Sequence, residues 1–219
     1  IETFKQAVTL KKPFTVSFAT LQELETIIVK VTTDSGIVGY GEAAPFEPVT
    51  AESIATELPV LQLFAEKLKG ADPCSIEDIH ARMDQVILGH TAAKAGIDIA
   101  CYDILGKQAG LPLYKLLGGS SNCIESDYTL GIDSTDKMVA EAQKYVAAGF
   151  KVLKVKVGLD DRHDVEVVRA IRQAVGPDVE LRIDANQAWT PKQTIRLMRQ
   201  FGDMVSAVEQ PLSAERGDE

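Results

Sequence analysis

Histidine and cysteine are scarce in this chain, three of each in 219 residues. His80, His90 and His163 lack zinc-ligand spacing and read as structural or surface residues. Cys74, Cys101 and Cys123 are odd in number and far apart, which points to reduced thiols and a cytoplasmic setting, not a disulfide framework. Positive charge is also short. Twenty-three Lys and Arg against 32 Asp and Glu leave a formal net charge of −9, which argues against a nucleic-acid surface and against anionic membranes. No run of about 18 apolar residues occurs, so no transmembrane helix is expected. The N-terminus carries no signal-peptide pattern. With 45% hydrophobic and 25% charged residues, the composition supports a sizeable globular core.

The first 45 residues or so read mostly as strands. Glu25 to Val31 is rich in β-branched residues, Asp34-Ser35-Gly36 signals a turn, and Ile37 to Gly41 resumes extended structure, giving an antiparallel hairpin or meander. Lys11 to Thr20, with Phe14 and Phe18, reads as a polar and aromatic loop. Helices follow. Thr50 is the expected N-cap of a segment carrying Ile54, Leu58, Leu61 and Leu68, which Pro59 would kink or split. Ser75 caps a second helix, and Thr91 to Gln108, with four charged residues, is a third with much of its surface buried. Gly110-Leu-Pro112 and Gly118-Gly119 break the chain. A first α+β domain therefore covers 1 to 120 and a second 121 to 219.

From Ser126 the pattern is periodic. Strands are expected at 126–131, 152–157, 179–183 and 205–208, with helices at 135–148, 161–175 and 191–201. Strand starts fall 26 or 27 residues apart, the mark of parallel β/α units. Gly131-Ile-Asp-Ser-Thr135 supplies no glycine-rich nucleotide fingerprint, so a (β/α)8 barrel is preferred to a doubly wound sheet. A complete barrel takes about 250 residues. The 96 from position 124 onward are expected to form its first half.

Active-site residues of such barrels sit at the C-terminal ends of strands. Those positions hold Thr129, Lys154 with Lys156, Asp184 with Asn186, and Glu209. Side chains two apart in a strand share a face, so Lys154 and Lys156 point the same way. Alone, such a pair reads as an exposed edge guarded against aggregation. Asp184-Ala-Asn186 alone reads as a helix-capping loop, and Glu209-Gln-Pro211 as a strand ended by proline. A basic pair and two acids at equivalent points of three repeats are harder to obtain from packing. Two adjacent carboxylates suit Mg²⁺. A lysine made neutral by a nearby cation could remove a proton next to a substrate carboxylate.

Gly39-Tyr-Gly-Glu-Ala-Ala-Pro45, Leu113-Tyr-Lys-Leu-Leu-Gly-Gly119, Lys154-Val-Lys156, Asp184-Ala-Asn186 and Glu209-Gln-Pro211 together resemble the enolase superfamily. Within it they resemble the muconate-lactonizing-enzyme subgroup, and most of all its dipeptide epimerases of the L-Ala-D/L-Glu type. Lysine bases working with Mg²⁺ are a pattern of that superfamily. The resemblance implies an α+β capping domain followed by a TIM-type barrel. It implies Mg²⁺-dependent epimerisation of a dipeptide through an enediolate. It makes Lys156 the acid/base and Lys154 the residue that tunes it and meets the carboxylate. Asp184 and Glu209 become metal ligands with Asn186 behind them, and Thr129 and Phe18 contact substrate. Loops around Phe14–Thr20 and Phe46–Val49 would close over the site.

The partner is then a small molecule, a dipeptide or another carboxylate. The oligomeric state is left open, a homo-oligomer included. A third metal ligand, a second lysine and a strand-eight acidic motif that holds a dipeptide's amino group are all expected beyond Glu219. Without that last motif, muconate cycloisomerase, o-succinylbenzoate synthase and a non-catalytic fragment stand as alternatives.

Overall fold

The computed structural model describes residues 1–214, which divide into two compact units. The first comprises Ile1–Thr9 and Glu23–Cys123. The second comprises Leu10–Gln22 and the chain from Ile124 onward.

The first unit is built on strands β1 (Glu2–Val16), β2 (Ala19–Thr32) and β3 (Val38–Ala43), ordered β1-β2-β3. β2 and β3 are antiparallel, pairing Ile27 with Ala43 and Thr32 with Val38. The turn between them is the one the Asp34-Ser35-Gly36 signal predicts. Gly36 takes φ +84°, and its N–H donates to Thr33 O at 3.1 Å. Helices α1 (Glu47–Thr50), α2 (Ile54–Lys67), α3 (Ile76–Val86), α4 (Thr91–Ala109) and α5 (Leu113–Leu116) follow. Ile27 and Val29 of β2 meet Leu61 and Phe64 of α2 and Ile97 and Ile104 of α4 in one buried cluster.

Several sequence expectations change here. The cap of α2 is Ser53, in a reciprocal capping box with Thr56, because Thr50 already closes α1. Pro59 lies inside one continuous α2; it forfeits one backbone bond near the helix start, where little ladder precedes it. The Phe46–Val49 stretch is not an open loop, since most of it forms α1.

The motif glycines of β3 have a steric cause. A Cβ on Gly39 would lie 2.1 Å from Ala100 O, and one on Gly41 would lie 1.9 Å from Gly96 O. α4 is thus laid directly on the β3 backbone, a distance only glycine permits. The N-terminus of α4 is covered by two buried carboxylates that sequence pattern does not reveal. Glu52 accepts the N–H groups of Thr91 (2.5 Å) and Ala92 (3.0 Å). Glu57 accepts those of Ala93 (3.2 Å) and His90 Nδ1 (2.7 Å). Negative charge there suits the unpaired N–H groups and the positive end of the helix dipole.

The second unit alternates β4 (Tyr128–Leu130), α6 (Thr135–Ala147), β5 (Val152–Lys156), α7 (Asp161–Val175), β6 (Glu180–Asp184), α8 (Pro191–Phe201) and β7 (Ala207–Glu209). All pairings are parallel and the order is β4-β5-β6-β7. The order never reverses, so the sheet has no switch point of the doubly wound kind and winds as a barrel does. This is the parallel α/β half of the capping-domain-plus-barrel architecture that the sequence predicts. Leu153, Val155, Leu181 and Ile183 are fully buried, packed with Val168, Ile171, Leu197 and Phe201 of the helices. The alternate residues face the other side. At the N-terminal end of the strands Arg172 donates to Gly176 O (2.7 Å), Val179 O (2.6 Å) and Met204 O (2.7 Å), tying α7 to the chain leading into β6 and β7.

The sequence-predicted Lys11–Thr20 loop is also corrected. β1 and β2 run through it, and Ser17-Phe18 alone make the turn. Pro13 lies inside β1, an edge strand, where a missing N–H is tolerated. This hairpin end groups with the second unit. Ile132 N–H donates to Thr15 O at 2.9 Å, Ser17 Oγ donates to Asn186 O at 3.3 Å, and Lys12 pairs with Glu141.

Gly41 and Gly70 separate steric from conformational need. Around Gly70, φ +78°, a Cβ meets nothing within 4 Å. Gly41→Ala is expected to destabilise the first unit by about 3 kcal/mol, as overpacking does. Gly70→Ala is expected to cost about 1 kcal/mol for its left-handed backbone. Equal shifts in urea midpoints would contradict this account.

Candidate active site

Register builds the site. Lys156 pairs with Asp184 across β5 and β6, and Asp184 pairs with Glu209 across β6 and β7. One cross-strand row therefore carries all three, at the C-terminal ends of adjacent strands. One row back, Thr129, Lys154 and Arg182 are in register. Both rows lie on the face away from the helices, because residues two apart share a face.

The side chains converge. Lys156 Nζ donates to Asp184 Oδ2 at 2.6 Å and to Asn186 Oδ1 at 3.0 Å. Lys154 Nζ lies 3.0 Å from the same Asp184 oxygen and 2.8 Å from Glu209 Oε2. Asp184 Oδ1 accepts the N–H of Asn186 at 2.8 Å. Asp184 is 1% exposed and Lys156 8%, so the edge-strand reading of the lysine pair does not apply. Thr129 is half-buried beside Lys154 in the register, and Phe18 occupies the hairpin turn, about half exposed.

The backbone after each strand is bent to hold these groups. Asn186 (φ +46°), Gln187 (φ +69°) and Gln210 (φ +41°) are left-handed without being glycine, a strain that structures retain where it positions something. The two turns are joined past the end of the sheet. Gln187 N–H donates to Gln210 O at 2.7 Å, and Trp189 N–H to Pro211 O at 3.0 Å. Sequence reading singles out Asn186 but not Gln187 or Gln210, since glutamine gives no local sign of a left-handed turn.

Charge balance follows from the contacts. Burial opposes ionisation of Asp184, but hydrogen bonds from Lys156, Asn186 and Lys154 outweigh it and hold the carboxyl below the usual range. Burial likewise works against the Lys154 ammonium, yet Glu209 and Asp184 raise its pKa above that of a free lysine. The lysine expected to act as the tuning cation is thus held charged by its neighbours.

A cavity of about 910 Å³ in the first unit, bordered by Val31, Leu68 and Cys101, contains none of the predicted residues. Burial pushes its Cys101 thiol up to about 12, which makes it no nucleophile. No group of three His, Cys, Asp or Glu side chains among the described residues is placed to hold a metal ion. Nor is any described helix long and apolar enough to cross a membrane.

Residues 1–118 match the model of the mandelate racemase/muconate lactonizing enzyme N-terminal domain, and residues 137–219 match the enolase C-terminal domain-like family. The chain belongs to the mandelate racemase/muconate lactonizing enzyme family of the enolase superfamily. It is 45% identical over 204 residues to a hydrophobic dipeptide epimerase of Enterococcus faecalis, which covers 93% of this chain and 58% of that protein. It is 40% identical over 212 residues to an L-Ala-D/L-Glu epimerase of Clostridium acetobutylicum, covering 95% and 59%. Among solved structures, the Enterococcus faecalis dipeptide epimerase complexed with Mg and L-Leu-L-Tyr superposes with a TM-score of 0.95 at 43% identity, covering 97% of this chain and 60% of that one. The chain therefore spans about three-fifths of the length of the curated relatives it matches.

In chelator-treated protein, Asp184→Asn is expected to destabilise the second unit by about 3 kcal/mol, because it leaves two ammonium groups facing a neutral amide. Glu209→Gln is expected to cost less than about 1 kcal/mol, since that side chain is 55% exposed. The pH dependence has two limbs. A depressed carboxyl stabilises above about pH 4 and loses that contribution as pH falls through its lower folded value. A raised lysine stabilises below about pH 10.4 and loses it as pH rises through its higher folded value. Lys154 ¹³Cε titration by NMR checks the second limb. A Lys154 pKa that does not fall in Asp184→Asn would contradict the pairing.

Proposed function

We propose that this protein is an isomerase that epimerises a dipeptide, removing the proton α to a carboxylate and returning one to the opposite face through an enediolate. The observation that carries the reading is the single row Lys156–Asp184–Glu209 with Lys154 beside it. Relatives named as dipeptide epimerases, and a similar structure holding Mg and a dipeptide, support the substrate class and the metal.

The donor set fits a hard cation. Two carboxylates already converge on one cationic centre, the Lys154 ammonium, and such oxygen donors suit Mg²⁺. Asp184 and Glu209 would hold it, with Asn186 behind them. When bound, Mg²⁺ supplies positive charge against the charge that builds on the substrate carboxylate.

The protein's own groups divide the remaining work. Lys156, the less exposed lysine at the strand end, is the acid/base on one face of the α-carbon. Lys154, held charged beside Lys156, meets the substrate carboxylate. Thr129, in register with Lys154, lines the pocket, and Phe18 in the hairpin turn touches substrate. The third metal ligand and the second lysine that the resemblance implies lie outside the described residues. Three free cysteines are consistent with a cytoplasmic setting.

The test uses the full-length protein with Mg²⁺ and each epimer of an Ala–Glu dipeptide in heavy water, following the α-hydrogen by NMR. Lys156→Ala is expected to abolish exchange from the one configuration that Lys156 faces, while Mg²⁺ and carboxylate binding persist. Undiminished deuterium uptake from both epimers would remove Lys156 from the role. Absence of exchange from either epimer with the unmutated protein would favour a cycloisomerase or a non-catalytic protein.

A further inference from the structure

Asp164 is a carboxylate the proposed chemistry does not use. It lies in the first turn of α7 and is 1% exposed. Both of its oxygens accept one N–H, that of Gly158, at 3.1 and 3.0 Å. The position of that N–H matters. Lys156 is the last residue of β5, and Val157 N–H makes the next cross-strand bond, to Asp184 O at 3.0 Å. Gly158 follows at once, where the sheet offers no further acceptor, and Asp164 takes its place.

Gly158 is also where three segments meet. Its φ is +108°, and a Cβ there would lie 2.8 Å from Ala188 Cβ, 2.9 Å from Ala185 O and 3.3 Å from Ser17 Cβ. Ala185 and Ala188 flank the turn after Asp184, and Ser17 belongs to the hairpin end. Asp164 bears on that turn as well. Burial pushes its carboxyl up to about 6, against the Gly158 N–H and the Trp189 indole N–H, which favour its charged form. The indole stands near the carboxylate without meeting hydrogen-bond geometry. The helix N-terminus supplies further positive potential.

We propose that Asp164 is a positioning residue: by holding the Gly158 N–H where the sheet ends, it fixes the turn that keeps Lys156 on Asp184 and seats Ser17 against the β6 turn. It touches no reacting group and acts through Gly158. The value of this for catalysis rests on the role proposed for Lys156, but the contact itself can be tested without turnover.

The experiment is acylation of lysines in the folded protein by a water-soluble reagent, read residue by residue by mass spectrometry, with exposed Lys192 as internal reference. Asp164→Leu leaves the Gly158 N–H unpaired, and opening of the turn is expected to become about tenfold more frequent. Labelling of Lys156 should rise by that factor while Lys192 stays constant. Asp164→Asn keeps an acceptor and should label within about twofold of the parent. Val168→Ala, a core truncation elsewhere on α7, controls for lost stability and should leave the Lys156 to Lys192 ratio unchanged. Should Asp164→Leu fail to fold, Asp164→Glu keeps the charge but displaces it by one methylene, and a several-fold rise is expected. The proposal is overturned if folded Asp164→Leu or Asp164→Glu labels Lys156 at the parent rate. It is equally overturned if Asp164→Asn or Val168→Ala raises labelling as much as Asp164→Leu does.

Discussion

The parallel register of β5, β6 and β7 is the constraint on which the meeting of Lys156, Asp184 and Glu209 depends. Side chains in a strand alternate, so a slip of one residue in β6 would send Asp184 into the helix layer and Ile183 toward the lysines. Apolar burial forbids the slip. Leu153, Val155, Leu181 and Ile183 are each fully buried on one face, and moving any of these rows to the other face would expose it. The oily face thus specifies the polar one. Lys156, Asp184 and Glu209 meet because their apolar neighbours have a single place to go. The buried ion pairs are weak evidence of stability in themselves, since desolvation offsets much of their attraction.

The first unit obeys a different constraint, closeness of approach. α4 rests against β3 at positions where any side chain would collide with a helix carbonyl. The Gly39-x-Gly41 motif that helps to identify the family is therefore a packing signature, and its presence alone carries no information about substrate.

Much of this was legible in sequence. The alternation in Lys-Val-Leu-Lys-Val-Lys gave the strand and its faces, the strand spacing gave parallel β/α units, and strand ends gave the charged residues. α7 and α8 run over the residues the sequence predicts, Asp161–Val175 and Pro191–Phe201. Other features depend on partners distant in the chain. Pro13 reads as a loop residue until β1 is known to be an edge. Nothing local marks Glu52 and Glu57 until the N–H groups of Thr91, Ala92 and Ala93 stand before them. For Glu52 and Glu57 the deciding hydrogen bonds come from residues 36 to 40 positions on, beyond the reach of any local pattern. Asp164 differs: its partner Gly158 is only six residues back, yet in sequence it is one more acid of an amphipathic helix.

Arg172 shows what division of labour gives the second unit. Its three carbonyl bonds lie at the opposite end of the strands from Lys156, where a barrel keeps its stability and not its chemistry. Natural proteins stand only a little above the stability they need, so a mutation that alters substrate choice is often lost because it also unfolds the chain. Here the cohesion of α7, β6 and β7 is anchored far from the rim that would meet a substrate. Lineages could therefore exchange rim residues while drawing on a reserve of stability that those exchanges leave untouched.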